Sequence, residues 1–575
     1  MDRRGREESR KASILRRKAR VSCHGYVGIQ LRAQGESILS SVNQGGTAAE
    51  NNEFRSSLME LKMSSVKDDF FVFLRSREKG KKGAPGKMKI RPSLEEVLQY
   101  AAGGEYRRIP VSTEILADLY TPIQILRKLK NVSDHCYLLE SAEAQEQWGR
   151  YTFLGFDPTM EITCLNGHMK AGALSFETKD PGVAIRQILK EYRSPRLSFL
   201  PPFAGGLVGY FSYDYLKYSE PSLHLDAEDT ENFKDVDLML FDKVIAFDNL
   251  RQRIILIVNI DLAEAETAYR KAERELEDLI RLIRTGKEKE ETAGTLRSEI
   301  RPLFDREHYC EMVRKAQHHI REGDIFQIVL SNRLEGEYEG SLLNCYRILR
   351  TLNPSPYMFY FSGTDVEVAG ASPETLVKLE DGVLHTFPLA GTRKRGKTKE
   401  EDDELEKDLL ADEKELAEHN MLVDLGRNDI GKISKFGTVQ VERYHEVLRF
   451  SHVMHIGSTV RGEIREDLDA LDAVDSILPA GTLSGAPKIR ACQLINDLEN
   501  NKRGIYGGAI GYLDFTGNLD TCIAIRIAYK KNGKVFIRSG AGIVADSVPE
   551  KEYQECINKA KAVVTALEAA NDLAD

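Results

Sequence analysis

Two pairs of glutamates carry the first sign of chemistry: Glu415 and Glu418 in DEKELAEHNMLVDLG, and Glu552 and Glu555 in SVPEKEYQECINKAKAVV. At i,i+3 spacing the two carboxylates of each pair share one helix face. If the two helices face each other, four negative charges converge, which is tolerable only with a cation between them. No Glu-x-x-His accompanies them, which argues against a di-iron centre. Oxygen-only ligation suits Mg²⁺, an ion that also keeps positions open for a substrate. Such pairs are equally at home on solvated helices, so the reading depends on what else the chain supplies.

It supplies an arginine among small residues. In TCIAIRIAY, 521–529, period-2 alternation puts Ile523, Ile525, Ile527 and Tyr529 on one strand face and Cys522, Ala524, Arg526 and Ala528 on the other. The guanidinium is either a bidentate carboxylate holder with an open floor or a solvated surface group. Three Gly-rich stretches, PAGTLSGAPK (479–488), IYGGAIGY (505–512) and RSGAGIVADS (538–547), are expected as turns. Their backbone N–H groups could approach an anion, or they could be ordinary turns. None is a Walker loop, since Lys488 follows Ala-Pro. His455, in FSHVMHIGSTV, shares a strand face with Val453 and Gly457, and fits a satisfied core position as readily as a catalytic one.

These groups need elements to hold them. A stripe of Leu410, Ala417, Met421 and Leu425 predicts a helix over the first glutamate pair, ending at Gly426. Ser547 and Pro549 mark the start of the second helix. Upstream, SLEEVLQYAAG and YTPIQILRKLK read as helices, and CYLLES and RYTFLGFDP as strand and turn. DVDLMLFDKVIAFDN and QRIILIVNI read as two strands joined by a polar turn. Residues 262–284 read as a helix with Leu276, Leu279, Ile280 and Ile283 on its stripe. With no clean βαβ rhythm, the expected class is α+β with large antiparallel sheets. The expected organisation is a basic leader (1–87), a first block (88–260), a helix and charged linker (261–300), a second block (301–567) and a tail (568–575).

Composition narrows the classes. Of 575 residues, 41% are apolar, enough for a sizeable core, and 90 acidic against 81 basic side chains leave a net charge of -9. That balance excludes a basic nucleic-acid binder. No uncharged apolar run reaches the roughly 18 residues of a membrane span. Eight scattered cysteines without a C-x-x-C fit reduced thiols in a cytoplasmic protein. Residues 1–87 hold 19 Lys+Arg and 10 Asp+Glu, so the leader is basic; its acidic content disfavours a transit peptide, and it is expected to be disordered and without chemistry.

Together with LLES (138–141), NPSPYM (353–358), GASPE (370–374), PLAGTRKRG (388–396), AEHNMLVDLGRND (417–429) and YQECINKA (553–560), the Gly-rich stretches form nine ordered motifs. The set closely resembles the large subunits of anthranilate synthases, members of the chorismate-utilising enzymes, from about Met88 to near the C-terminus. The resemblance implies an α+β sandwich of large antiparallel sheets flanked by helices. It also implies a Mg²⁺-dependent lyase turning chorismate and ammonia into anthranilate and pyruvate.

By the same resemblance, Glu418 and Glu555 are metal ligands with Glu415 and Glu552 in support. Arg526 and Tyr506 clamp the enolpyruvyl carboxylate with Gly540, Ala541 and Gly542, and Gly391 and Thr392 line that pocket. Glu374 is the acid for the departing hydroxyl. His455 serves the elimination of pyruvate, with Thr482 beside it. Glu140, Ser141, Asn353, Pro356, Tyr357 and Met358 match a feedback site for tryptophan. Isochorismate-forming relatives carry a lysine base where Gln327 stands, and aminodeoxychorismate synthases commonly carry a lysine at Ala390; both departures favour anthranilate. No G-x-C-x-G elbow occurs, so ammonia is expected from a glutamine amidotransferase partner, in a heterotetramer, or from free ammonium. The alternatives are an aminodeoxychorismate or 2-amino-2-deoxyisochorismate synthase and, outside catalysis, a tryptophan-binding regulator.

Overall fold

The computed structural model describes residues 88–141, 149–449 and 453–573; the leader lies outside them. Helices form where caps and apolar spacing ask for them. Leu94–Gly103 starts with a reciprocal capping box between Ser93 and Glu96. Pro122–Lys130 is capped by Thr121 with proline in its first turn. Ala265–Thr285 buries Leu276, Leu279 and Ile283 on the expected stripe.

Two large antiparallel sheets dominate. The first runs Arg108–Leu116, Arg253–Asp261, Lys243–Asp248, Tyr151–Phe156, Cys136–Glu140, Tyr357–Ser362, Glu367–Ser372, Ile527–Lys531, Lys534–Ile543 and Gln327–Glu339 in spatial order. The second includes Leu389–Lys394, Val453–Glu463, Val383–Thr386, Thr375–Glu380, Leu519–Ile523, Ala509–Asp514, Gly206–Phe211 and Val236–Phe241. Strands from 88–260 and 301–567 enter both sheets, and one apolar core runs from Val97 to Ala570. The α+β class with large antiparallel sheets is the one expected. The hairpin His168–Ala171/Leu174–Glu177 is antiparallel and belongs to a different compact unit from the rest. Among the described residues no helix is long and apolar enough to cross a membrane.

The chain crosses between the sheets at sharp corners, and two of these correct the sequence reading. DVDLMLFDKVIAFDN is not one strand: it breaks at Asp242, with Val236–Phe241 in the second sheet and Lys243–Asp248 in the first. TCIAIRIAY breaks likewise, from Leu519–Ile523 in the second sheet to Ile527–Lys531 in the first. Arg526 therefore stands at a corner, with φ +52°, rather than on a strand face among small residues. Such a corner leaves no mark in the residue pattern, since both flanking strands are buried at nearly every position and no Gly or Pro stands at the break. A left-handed arginine is a strained backbone that its surroundings must hold.

Candidate active site

Glu374 occupies a third corner, between Glu367–Ser372 in the first sheet and Thr375–Glu380 in the second. The Glu374 and Arg526 corners interlock. Ile523 N–H donates to Glu374 O at 3.0 Å, and Ala371 N–H donates to Arg526 O at 3.2 Å. Where neighbouring strands leave one sheet for the other, the ladder opens and the two side chains are delivered to the gap. Burial pushes the Glu374 carboxyl from an ordinary 4.5 up to about 7; Thr482 Oγ1, donating to Oε1 at 3.2 Å, and the charges of Arg526 and Lys559 work against it. Near neutrality it is thus a proton donor as well as a carboxylate.

His455 lies on Val453–Glu463, opposite Thr392 in the pairing with Leu389–Lys394, which is irregular between Ala390 and Thr392. Its Nδ1 is 2.8 Å from Gly391 O and 3.1 Å from Thr392 Oγ1. A carbonyl can only accept, so the neutral ring carries its proton on Nδ1 and leaves Nε2 basic. Burial holds the imidazole below its ordinary 6.5, and the Arg526 charge adds to this. Gly391 needs to be glycine: φ is +70°, and a Cβ would lie 3.2 Å from Glu415 Oε2 and from Leu409 Cδ1.

RSGAGI, expected as a turn, is instead the end of the strand Lys534–Ile543, and the turn begins only after it. Gly540, Ala541 and Gly542 face Ser331, Leu330 and Val329. Ser331 N–H is turned to Glu499 at 2.7 Å, so Ser331–Gly540 is a pair without ladder bonds. Gly540 and Gly542 therefore aim their N–H groups away from this neighbour, whereas that of Ala541 faces the ladder. The Ile527–Lys531 strand flanks Lys534–Ile543 only as far as Ile537, so no strand pairs with the far side of the glycines, where Lys559 Nζ reaches Gly540 O at 3.2 Å. Tyr506, only 3% exposed, places its hydroxyl 3.2 Å from where a Gly540 Cβ would be.

The glutamate pairs lie on Glu413–Gly431 and Pro549–Ala569. The first helix is capped by Asp412, which accepts from Lys414 N and Glu415 N and is gripped by Arg393 Nη2 at 2.8 Å. It continues past Gly426, and its buried face carries His419, Leu422, Val423 and Ile430; Leu410 belongs to the preceding helix Lys399–Ala411. Gly426 is a packing glycine, whose Cβ would meet Thr386 Cγ2 at 3.1 Å. Across the two helices the carboxylates feel one another. Burial, then Glu415 and also Glu555 raise the Glu418 carboxyl, and burial and Glu555 raise that of Glu552. Lys414 and Lys559 oppose both shifts, and Lys559 Nζ pairs with Glu555 Oε1 at 2.7 Å. Glu418 and Glu552 are held above their ordinary pKa, and the two helices offer oxygen donors only, which is the donor chemistry of a hard divalent cation. Among the described residues no three or more His, Cys, Asp or Glu side chains are gathered closely enough to hold a metal ion.

With the corners, the histidine and the acidic helices placed, comparison with known proteins is decisive. The family described as chorismate binding enzyme matches residues 134–565. The chain belongs to the chorismate-binding enzymes. Within that family it is 46% identical over 500 residues to "Anthranilate synthase component 1" of Acetivibrio thermocellus, covering 84% of this chain and 99% of the relative. It is 45% identical over 497 residues to the same-named protein of Aquifex aeolicus, covering 84% and 99%. The solved anthranilate synthase component I of Streptococcus pneumoniae superposes with a TM-score of 0.64 at 37% identity, covering 78% of this chain and 98% of that one. The menaquinone-specific isochorismate synthase of Escherichia coli, 20% identical with a TM-score of 0.60 over 82% of this chain and 98% of that one, shares the fold.

In this chorismate-binding enzyme two of the segments matched to a tryptophan site lie side by side, as neighbouring strands. Glu140 ends the strand Cys136–Glu140 opposite Met358. Its Oε1 accepts from Tyr346 OH and Arg350 Nε, both at 2.5 Å. Asn353 Nδ2 donates to Ser355 Oγ, and Tyr357 OH donates to Asp520 at 2.8 Å and lies 3.0 Å from Thr375 Oγ1. Pro356 precedes Tyr357 in this loop, and Ser141 follows Glu140 directly. Sequence reasoning missed Tyr346, Arg350, Arg393 and Lys559. Only Lys559 had a legible signal, one helical turn after Glu555; the others act on partners far along the chain.

Proposed function

We propose that this chain is the large subunit of an anthranilate synthase, converting chorismate and ammonia into anthranilate, pyruvate and water. One observation carries the reading: the interlocked corners set Glu374 beside Arg526, with Arg526 in electrostatic reach of His455 and Glu374 in reach of Lys559, the partner of Glu555. A doubly negative cyclohexadiene fits between an arginine at one end and a cation site at the other. Arg526, Tyr506 and the N–H groups of Gly540 and Gly542 receive the enolpyruvyl carboxylate, with Gly391 and Thr392 at its edge. Glu418 and Glu555, backed by Glu415 and Glu552, would hold Mg²⁺, which when bound neutralises and orients the ring carboxylate.

Protonated Glu374 donates to the ring hydroxyl, which leaves as water while ammonia attacks the carbon ortho to the carboxylate. His455 Nε2 then takes the proton from that carbon as the enolpyruvyl group leaves, giving pyruvate and an aromatic ring. Gln327 cannot act as a base that activates water, which supports ammonia as nucleophile. Ammonia would come from a glutamine amidotransferase subunit in a cytoplasmic heterotetramer.

Tryptophan would bind at Glu140, Ser141, Asn353, Pro356, Tyr357 and Met358. Tyr357 links this cluster to Thr375, next to Glu374, and to the strand whose Ile523 holds the Glu374 backbone. Feedback then has a physical route to the acid. The test is anthranilate fluorescence from purified full-length protein with chorismate, Mg²⁺ and ammonium. Anthranilate should form, glutamine should be inert until an amidotransferase subunit is added, and tryptophan should suppress the rate. Isochorismate or a 4-amino product would overturn the reading.

A further inference from the structure

Behind the candidate active site lies a buried cluster of charge that none of the roles above uses. Arg503, 2% exposed, donates from Nε and Nη2 to the two Glu499 oxygens at 3.0 and 2.6 Å. Arg538 Nη2 reaches the same carboxylate at 2.9 Å, and its Nε donates to Ser331 Oγ at 2.8 Å. One arginine would satisfy one carboxylate, and burying a second guanidinium beside it costs several kcal/mol by order of magnitude. That expense has no purpose in the core alone, but the remaining bonds of Arg503 suggest one.

Arg503 Nη1 donates to Leu483 O at 2.6 Å and Nη2 to Val329 O at 2.7 Å. Leu483 closes the short 3₁₀ turn Gly481–Leu483, which carries Thr482, the donor to Glu374. Val329 sits opposite Gly542 in the ladder. The guanidinium carbon is 4.6 Å from the Tyr213 ring centroid and 5.9 Å from that of Tyr506. One rigid, planar fork thus bonds the turn aiming Thr482 and the strand backing the glycines, and lies within cation–π range of the ring of Tyr506.

We propose that Arg503 is a positioning residue, fixing from its buried seat both the turn that aims Thr482 at Glu374 and the ring of Tyr506. The proposal rests on the roles given to Glu374, Thr482 and Tyr506 in the reading above. It has a signature that a purely structural arginine lacks. Thr482 donates to the ionised Glu374, so loosening its turn weakens the carboxylate form and moves the proton-loss limb of kcat/KM to higher pH. The other groups facing Glu374, Arg526 from the neighbouring corner and Lys559 from the C-terminal helix, stay in place.

The experiment compares Arg503→Lys with Arg538→Lys in the full-length protein, using ammonium-dependent anthranilate formation across pH and thermal melts. Both variants remove a guanidinium from the same carboxylate. Only Arg503→Lys should lose about tenfold or more in kcat/KM from misplacement and shift the alkaline limb upward. An unmoved limb in a folded Arg503→Lys, or equal shifts in both variants, overturns the proposal. Should Arg503→Lys not fold, Tyr213→Leu, which removes the ring beneath the guanidinium, carries the same test with the same two outcomes. Failure of the wild type to make anthranilate would strike the functional reading instead.

Discussion

Replacing Glu374 with glutamine preserves shape and hydrogen bonding but removes the transferable proton. A carboxyl at its ordinary 4.5 would be protonated in only about 0.3% of molecules at pH 7, whereas one held at about 7 is protonated in about half. The setting between the corners is therefore worth roughly 150-fold in available acid at neutral pH. Loss of the acid itself should lower kcat/KM by about 10²–10⁴-fold, and the fall in rate above pH 7 should vanish with it. The same residue leaves a trace in stability. Its folded-state pKa lies above the unfolded one, so the native protein loses stability as pH rises from 4.5 through about 7. Glu374→Gln should thus be more stable than the wild type at pH 8, by up to about 3 kcal/mol, with no gain at pH 4. Rates across pH with anthranilate fluorescence, and melts at the two pH values, read both effects. A variant keeping a tenth of the wild-type kcat/KM with its alkaline limb intact would refute the assignment of Glu374 as the acid.

Arg526→Lys keeps the charge but not the bidentate fork, and should raise the KM for chorismate by about 10–100-fold, measured by steady-state kinetics. The acid limb of wild-type kcat/KM should fall below pH 6.5, because burial keeps the His455 imidazole neutral there, and should be absent in His455→Gln. Glu555→Gln should weaken apparent Mg²⁺ affinity by at least about tenfold in a metal titration, one charged oxygen ligand being lost. Ser141→Ala should relax tryptophan inhibition and leave uninhibited turnover intact; unchanged sensitivity in an inhibition curve counts against the effector site.

What could be read in the chain followed from local rules, and what could not followed from tertiary choices. Ser93 and Glu96 announce a helix start, and Leu276, Leu279 and Ile283 its buried stripe, because capping and period act within a turn or two. The two Glu-x-x-Glu pairs were legible as shared helix faces; their approach across the fold was not, since nothing local couples 418 to 555. Gly426 looks like a helix end but is there for Thr386 to pack against. The corners at Asp242 and Arg526 hide because the strands on either side are buried on both faces, so the sheet change leaves no trace in periodicity. The two side chains with most to do, Glu374 and Arg526, sit at just such corners, where neighbouring strands pass from one sheet to the other. Their roles came from family resemblance, and the physical reason for their placement came from the sheet topology.

The central claim is that acidic side chains from two helices and the arginine corner hold opposite ends of one dianion. Calorimetric titration of chorismate without ammonia, at rising Mg²⁺, tests it most directly. Chorismate should tighten as Mg²⁺ rises, and Mg²⁺ should tighten with chorismate by the same factor, a reciprocity that linkage requires and that Glu555→Gln should abolish. Chorismate binding that is indifferent to Mg²⁺ in the wild type, or coupling that survives Glu555→Gln unchanged, would contradict the account.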